Sequence, residues 1–197
     1  MASSSAQTAH PLTQRLIRDV REHSLEGPVI EVGTGSGRNT RALVEAGISN
    51  VSVPDATPIT QLPGARESYG AALSTHGYLH GTAAKLRAGF AELRRVLKAK
   101  APVYVTLGSI KDARYGLGIP LDERTFAPGE GDEAGIPHAY FDRDGVIELL
   151  YGFTIESLEE VDVDEIVGRW AHPSTSSGQA DEIAGRVHWF AIARRKP

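Results

Sequence analysis

The stretch "VIEVGTGSG", Val29 to Gly37, decides how this sequence is interpreted. A short apolar run ends at Glu31, and glycines then follow at positions 33, 35 and 37. The apolar run predicts a buried strand, and "RNTRALVEAG" directly after the glycines predicts a helix. A glycine-rich turn between a strand and a helix lets a ligand approach the backbone and exposes helix N-terminal N–H groups. The stretch therefore indicates a ligand-binding turn.

Two common phosphate-binding motifs do not fit these glycines. A dinucleotide-binding turn has the pattern Gly-x-Gly-x-x-Gly, whose third glycine would fall on Arg38 or on Thr40. A P-loop requires Gly-Lys-Ser/Thr, and no such sequence follows Gly37. The positions of the glycines therefore argue against a dinucleotide-binding enzyme and against a P-loop enzyme.

The composition limits the class of protein. The chain has 197 residues, no cysteine and a formal net charge of −4. It fits a single domain over residues 11–197 after a flexible tail over residues 1–10. The lack of cysteine excludes disulfides and is typical of a reducing compartment, so we expect a cytoplasmic protein. The acidic balance and the lack of an apolar run of about 18 residues lead us to expect neither a nucleic-acid partner nor a membrane span.

Strand and helix signals alternate along the chain. Strands are predicted at "PVIEVG", "NVSVP", "YGAALST", "APVYVTLGS", "FTIESLEEVDV" and "RVHWFAIARR". Helices are predicted from Pro11 to about His23, then at "RNTRALVEAG", "TAAKLRAGFAELRRVLKAK" and "DRDGVIELLYG". This order predicts an α/β fold with a mostly parallel sheet and helices on its faces. The last two strands have no helix between them and predict an antiparallel edge.

The pattern Glu31-x-Gly33-x-Gly35-x-Gly37 closely resembles motif I of the class I S-adenosylmethionine (SAM)-dependent methyltransferases. The resemblance implies a Rossmann-like three-layer sandwich with an antiparallel last strand, and SAM as the cofactor. In that family the glycine turn lies under the methionine part of SAM, and the preceding acid helps to hold its amino group. "YGAALSTHGYLHGT" looks like motif IV, which lines the substrate side of SAM. The cofactor-binding residues that the resemblance implies are Glu31, Gly33, Thr34, Gly35, Gly37, Asp55, Ser74 and Thr75.

One region departs from the family pattern. Only "ATPITQLPGARES" separates Asp55 from Tyr69, which is too short for the strand–helix–strand crossover found there in the family. We therefore expect one helix–strand unit to be shortened or missing. Asp55 would face the ribose of SAM or, as part of "DATPITQLP", its adenine. A second copy of the chain could complete the adenosine side, which would make the protein a homo-oligomer.

Four residues are candidates for contact with the methyl acceptor. His76 and His80 follow motif IV, where family members often contact their substrates. His138 and Tyr140 end a long segment rich in glycine and proline, which we expect to be a lid without regular structure. The spacing of His76 and His80 is also that of a metal-binding pair, but the sequence shows no third ligand, and we expect no metal.

These observations lead to one leading function and one alternative. The leading hypothesis is an enzyme that transfers the methyl group of SAM to a small molecule, by holding the acceptor in line with the sulfonium methyl. The alternative is a non-catalytic ligand-binding or oligomerising domain with the same fold, which the shortened crossover favours. The sequence does not identify the acceptor, because a fold does not determine a substrate.

Overall fold

The computed structural model describes residues 8–54, 57–163 and 185–197. The described residues form four α-helices and nine strands. The helices are α1 (Pro11–Glu22), α2 (Arg38–Glu45), α3 (Ala83–Val96) and α4 (Arg143–Leu149). The strands are β1 (Val29–Glu31), β2 (Val51–Ser52), β3 (Ala71–Ser74), β4 (Pro102–Ser109), β5 (Ile119–Pro120), β6 (Thr125–Ala127), β7 (His138–Phe141), β8 (Phe153–Asp162) and β9 (Val187–Arg195). Asp55 lies outside the described residues, so the structure says nothing of its predicted role.

The centre of the sheet is parallel and confirms the predicted fold class. Strands β2, β1, β3 and β4 are neighbours in that order and run parallel. The last strand, β9, pairs antiparallel with β4 on the side away from β3, and β8 pairs antiparallel with β9. The predicted antiparallel last strand is therefore confirmed. In a parallel sheet of this kind, ligands bind beyond the carboxyl ends of the strands.

Two apolar cores cover the two faces of the sheet and give it three layers. One core contains Leu16 from α1 and Leu43 from α2, together with Val29 from β1. The other contains Phe90 from α3 and Val146 from α4. Residues of opposite parity on each central strand supply the two cores, because both faces of a parallel sheet are buried.

The connection between β2 and β3 confirms the missing helix–strand unit. Residues 53–54 and 57–70 contain no helix or strand, and β2 forms the edge of the sheet. The connection nevertheless packs tightly, because Ile59 and Leu62 are buried in the same core as α3. Arg95 of α3 donates to the carbonyl of Leu62 at 2.8 Å.

The long segment between β4 and α4 differs from the prediction. We expected no regular structure there, but it contains β5, β6 and β7, which pair antiparallel in sequence order. β7 also pairs parallel with the end of β4, where Gly108 is opposite Tyr140. Gly108 is opposite His188 of β9 as well, so β7 must lie on the same side of β4 as β3, beyond the end of β3. Pairing with the exposed end of β4 is what orders the segment.

The first helix is capped by a residue that was predicted to lie in the flexible tail. His10 is 2% exposed, and its Nδ1 accepts a hydrogen bond from the backbone N–H of Leu12 as the N-cap of α1. His10 is therefore not part of the flexible tail expected over residues 1–10, because this cap and its burial fix the residue. No helix within the described residues combines the length and apolar character needed to cross a membrane.

Candidate functional site

The glycine turn after β1 has two distinct surfaces. Gly33, Gly35 and Gly37 have φ angles of 74°, 54° and 71°, a left-handed conformation that favours glycine. A Cβ atom on Gly33 would lie 2.5 Å from the backbone of Gly77, so this glycine permits close packing between two turns. A Cβ atom on Gly35 or Gly37 would meet nothing within 4 Å. The first glycine is therefore required by packing, and the other two leave an open surface.

An acidic group lies at the base of this turn. Glu31 is 1% exposed at the carboxyl end of β1, and the hydroxyl of Thr40 on α2 donates to its carboxylate. Burial lowers the pKa of Arg38, the first residue of α2, and the charge of Glu31 opposes that shift. The following helix thus supplies a hydrogen-bond donor and a nearby positive charge to this carboxylate.

Ser74 and Thr75, at the end of β3, fasten the turns together. The Ser74 hydroxyl donates to the carbonyl of Val32 at 2.8 Å. The Thr75 hydroxyl accepts from the amide of Asn39 at 2.9 Å, and the same amide group accepts from the backbone N–H of His10 at 3.0 Å. Both side chains therefore have structural partners. Their predicted contact with a cofactor stays a prediction.

Three of the four acceptor-side candidates meet at the carboxyl edge of the sheet. His80 forms an isolated antiparallel bridge with His138, because β7 lies beyond the end of β3. The ring of His80 is 4.5 Å from that of His76 and 4.9 Å from that of His138, measured between centroids. The cluster reaches the glycine turn through His76, whose carbonyl carbon would be 3.5 Å from a Cβ atom on Gly33.

Glu133 joins these histidines. Its carboxylate oxygens lie 3.3 Å from Nε2 of His80 and 3.3 Å from Nε2 of His138. Hydrogen bonds from His138 and then from His80 hold the pKa of Glu133 well below its usual range. Burial, followed by the charge of His80, lowers the pKa of His76 to about 4. At neutral pH the cluster therefore contains a carboxylate and a neutral His76.

Searches against known proteins identify the fold through structures only. No family model and no curated protein matches the sequence. A SAM-dependent methyltransferase from Methanosarcina mazei matches with a TM-score of 0.62 and 14% identity, over 96% of this chain and 99% of that one. A second match is the Burkholderia thailandensis 1,6-didemethyltoxoflavin-N1-methyltransferase, solved with S-adenosylhomocysteine (SAH) and 1,6-didemethyltoxoflavin. Its TM-score is 0.60 and its identity 16%, over 95% of this chain and 79% of that one.

The chain has the fold of the class I SAM-dependent methyltransferases. The match extends over nearly the whole chain and agrees with the resemblance found in motif I. Identities below 20% establish the fold alone. The cyclase SpnF matches as well, with a TM-score of 0.54 and 18% identity over 92% of this chain and 80% of that one. The reaction therefore has to be argued from the site.

Within this methyltransferase fold, Tyr140 is separated from the histidines. It follows His138 by two residues on β7, but its ring packs against Tyr115 at 5.7 Å and Phe126 at 6.3 Å between centroids. Burial raises the pKa of Tyr140 to about 12. The hydroxyl therefore stays protonated at neutral pH and could donate a hydrogen bond but not act as a base.

The sequence analysis missed two acidic residues of this region. Glu133 lies in "GEGDEAG", where nothing distinguishes it from Glu130 or Asp132 without the pairing of β7. Asp112 is 3% exposed and accepts from Arg114 Nε at 2.8 Å and from the backbone N–H of Val187 at 3.0 Å. The buried carboxylate of Asp112, paired with the half-buried Arg114, thus attaches the start of the long segment to β9.

Proposed function

We propose that the protein is a SAM-dependent methyltransferase that acts on a small-molecule acceptor. One observation carries the proposal. The glycine turn that is open at Gly35 and Gly37 packs, through Gly33, directly against the turn that bears His76. A cofactor on the first turn would have its acceptor side facing the histidine cluster.

The residues around the turn fit the cofactor. A Cβ atom at Gly35 or Gly37 would project into open space, which is the space that a bound methionine group would need. The N–H groups at the start of α2 suit its carboxylate. Glu31 supplies the negative charge for the ammonium group of the cofactor, and Thr40 orients the carboxylate of Glu31. When bound, SAM supplies a methyl group already activated by the sulfonium, so the chain chiefly positions the acceptor.

The acceptor-side chemistry follows from the histidine cluster. During transfer the bond from sulfur to methyl breaks, a bond from the acceptor to methyl forms, and the acceptor loses a proton. Polar groups beside the acceptor are therefore required to take up that proton or the charge it leaves. His76, His80 and His138, with Glu133, are the groups that we assign to this task. The small-molecule acceptor and the cytoplasmic location are parts of the same proposal and rest on the composition of the chain.

Titration calorimetry with SAH tests this proposal. We expect the wild-type protein to bind SAH and the Gly35→Val variant to lose at least a hundredfold in affinity, because the valine side chain would occupy the cofactor's space. Gly47→Val is the matched control. Gly47 has a φ of 89° and open space around it, but it follows the far end of α2. The control variant therefore carries the same kind of backbone strain without a ligand-facing side chain.

The results separate the proposal from its alternatives. Equal SAH affinity in the wild type and Gly35→Val would contradict a cofactor role for the turn. Absence of SAH binding in the wild type would favour the non-catalytic domain. Binding of SAM without formation of SAH, across panels of hydroxyl, amine and carbon acceptors, would indicate another reaction on the same fold.

A further inference from the structure

The histidine cluster contains a candidate set of metal ligands. One ring nitrogen each from His76 and His80 and one carboxylate oxygen of Glu133 all lie within 4.8 Å of one another. The three side chains are half-buried, so the space between them is open to a ligand. The sequence offered only the two histidines, because Glu133 is brought to them by the pairing of β7 with β4.

His138 holds the carboxylate of Glu133 beside the other two ligands. The Nδ1 atom of His138 is 2.9 Å from the carbonyl of Ile136, which can only accept, so Nδ1 carries the hydrogen. The Nε2 atom of His138 lies 3.3 Å from one carboxylate oxygen of Glu133, and Nε2 of His80 lies 3.3 Å from the other, so the carboxylate is held between the two rings.

We propose that His76, His80 and Glu133 bind one divalent first-row transition-metal ion at the acceptor side of the glycine turn. His138 positions the carboxylate of Glu133 from behind. Two imidazoles and one carboxylate suit zinc, iron, cobalt or manganese, whereas magnesium and calcium prefer sites made of oxygen ligands. Bonds of about 2.1 Å need about 3–3.5 Å between ligand atoms, so ligand atoms that lie up to 4.8 Å apart must approach by up to about 1.3–1.8 Å when the ion binds.

The site defines a class of acceptor, and this step rests on the proposed function. Three protein ligands leave coordination positions open for an exchangeable group. An oxygen of the acceptor, such as a hydroxyl with a neighbouring carbonyl or hydroxyl, would occupy them. The ion lowers the pKa of a bound hydroxyl, as it does that of water. The oxygen then loses its proton to solvent and receives the methyl group. In this proposal His76 and His80 act as ligands and not as bases.

Metal binding can be measured without catalysis. Tag-free, chelator-treated protein is titrated with Zn²⁺ by calorimetry and with Co²⁺ by visible absorption, which reports nitrogen ligation. We expect one ion per chain with micromolar or tighter affinity. His80→Gln and Glu133→Gln should each weaken binding at least tenfold, the lower end of what loss of an outer partner of a metal ligand costs. His23→Gln and Glu130→Gln are matched controls at exposed positions and should bind as the wild type does.

The outcomes separate this inference from the proposed function. Binding no tighter than about 1 mM in the wild type, or equal affinity in the wild type and both ligand variants, would overturn the metal site. The Co²⁺ spectrum of the wild type decides the question even if a variant fails to fold, because oxygen-only ligation would also overturn it. SAH is titrated into metal-free protein separately. SAH binding without metal binding would contradict the metal site alone. Metal binding without SAH binding would contradict the methyltransferase function alone.

Discussion

At the scale of single residues, each glycine of motif I has its own physical reason. Gly33 is required by packing within the protein, because its turn lies directly against the turn of Gly77. A Cβ atom on Gly77 would likewise lie only 2.8 Å from the carbonyl oxygen of Val32. Gly35 and Gly37 face open space. The spacing of the glycines could be read from the sequence. Which glycine serves packing and which two face open space could not, because Gly77 is distant in sequence.

This difference gives a prediction for stability. Gly33→Ala should destabilise the fold by about 3 kcal/mol or more, because left-handed strain of about 1–2 kcal/mol adds to a backbone clash. Gly37 has a similar φ, and a Cβ atom there would meet no clash. Gly37→Ala should therefore lower the free energy of unfolding only by the left-handed strain. Urea unfolding of the two variants and the wild type measures both values. Equal losses in the two variants would show that the turns do not pack as described.

Glu133 marks the limit of sequence-based prediction at this scale. His76, His80 and His138 were identified as candidates from their positions relative to predicted elements. Glu133 has no such position, because it lies in an irregular stretch among other acids. Only the pairing of His80 with His138 determines which acid reaches the histidines.

At the scale of elements, the helices and long strands followed from periodicity and capping. α1 begins at Pro11 as predicted, and Asp142 caps α4 by accepting from the N–H of Gly145 at 2.9 Å. Strands β5, β6 and β7 were missed because they are two to four residues long and lie among glycines and prolines. Their pairing depends on the free end of β4, which local sequence does not encode. The lid role of this segment stays a prediction.

The stretch between β6 and β7 gives a prediction at this scale. Residues 128–137 carry Glu133 and are held by few backbone bonds, among them Gly135 N–H to Pro128 at 2.8 Å. Zn²⁺ bound through Glu133 should slow hydrogen exchange of amides 129–136, because opening of the stretch would then require release of the ion. Amides of β7 should change little, since the sheet already protects them. Exchange measured with and without Zn²⁺, in the wild type and Glu133→Gln, tests this. Slowing that persists in Glu133→Gln would contradict it.

At the scale of the whole molecule, the order of elements predicted a parallel sheet with helices on its faces, and the resemblance to the methyltransferase family predicted the missing unit. How the layers are joined was not predicted. His10 links three parts of the fold, since it caps α1, donates to Asn39 of α2 and packs against Phe190 of β9 at 4.8 Å between ring centroids. Burial, followed by the charges of Arg38 and His188, lowers the pKa of His10 to about 3. The ring is therefore neutral in the folded protein at neutral pH.

This link predicts how global stability depends on pH. The unfolded chain protonates His10 near pH 6.5, whereas the folded protein resists protonation to about pH 3. A depressed folded-state pKa of a base means that stability is full above about pH 6.5 and falls as the pH decreases below it. Between pH 7 and 5 this residue should account for about 2 kcal/mol of lost stability.

The matching variant is His10→Asn, which keeps a capping oxygen and cannot titrate. Urea unfolding at pH 7, 6 and 5 measures the free energy of unfolding of both proteins. Between pH 7 and 5 this free energy should fall by about 2 kcal/mol less in His10→Asn than in the wild type. His76 and His188 also have a pKa lowered to about 4 and titrate in both proteins. His23→Asn controls for loss of an exposed histidine. Parallel curves for wild type and His10→Asn would refute the assignment.

The position of β9 has a consequence for synthesis of the chain. This strand comes last in sequence but lies between β4 and β8, and it pairs with β4 from Pro102 to Gly108. While the polypeptide emerges from the ribosome, β4 is complete long before its partner, and its buried apolar residues Val103, Val105 and Leu107 flank an open edge. Unpaired edges of this kind recruit other strands. We therefore expect the nascent chain to be prone to aggregation until Val187–Arg195 has been made and has paired with β4.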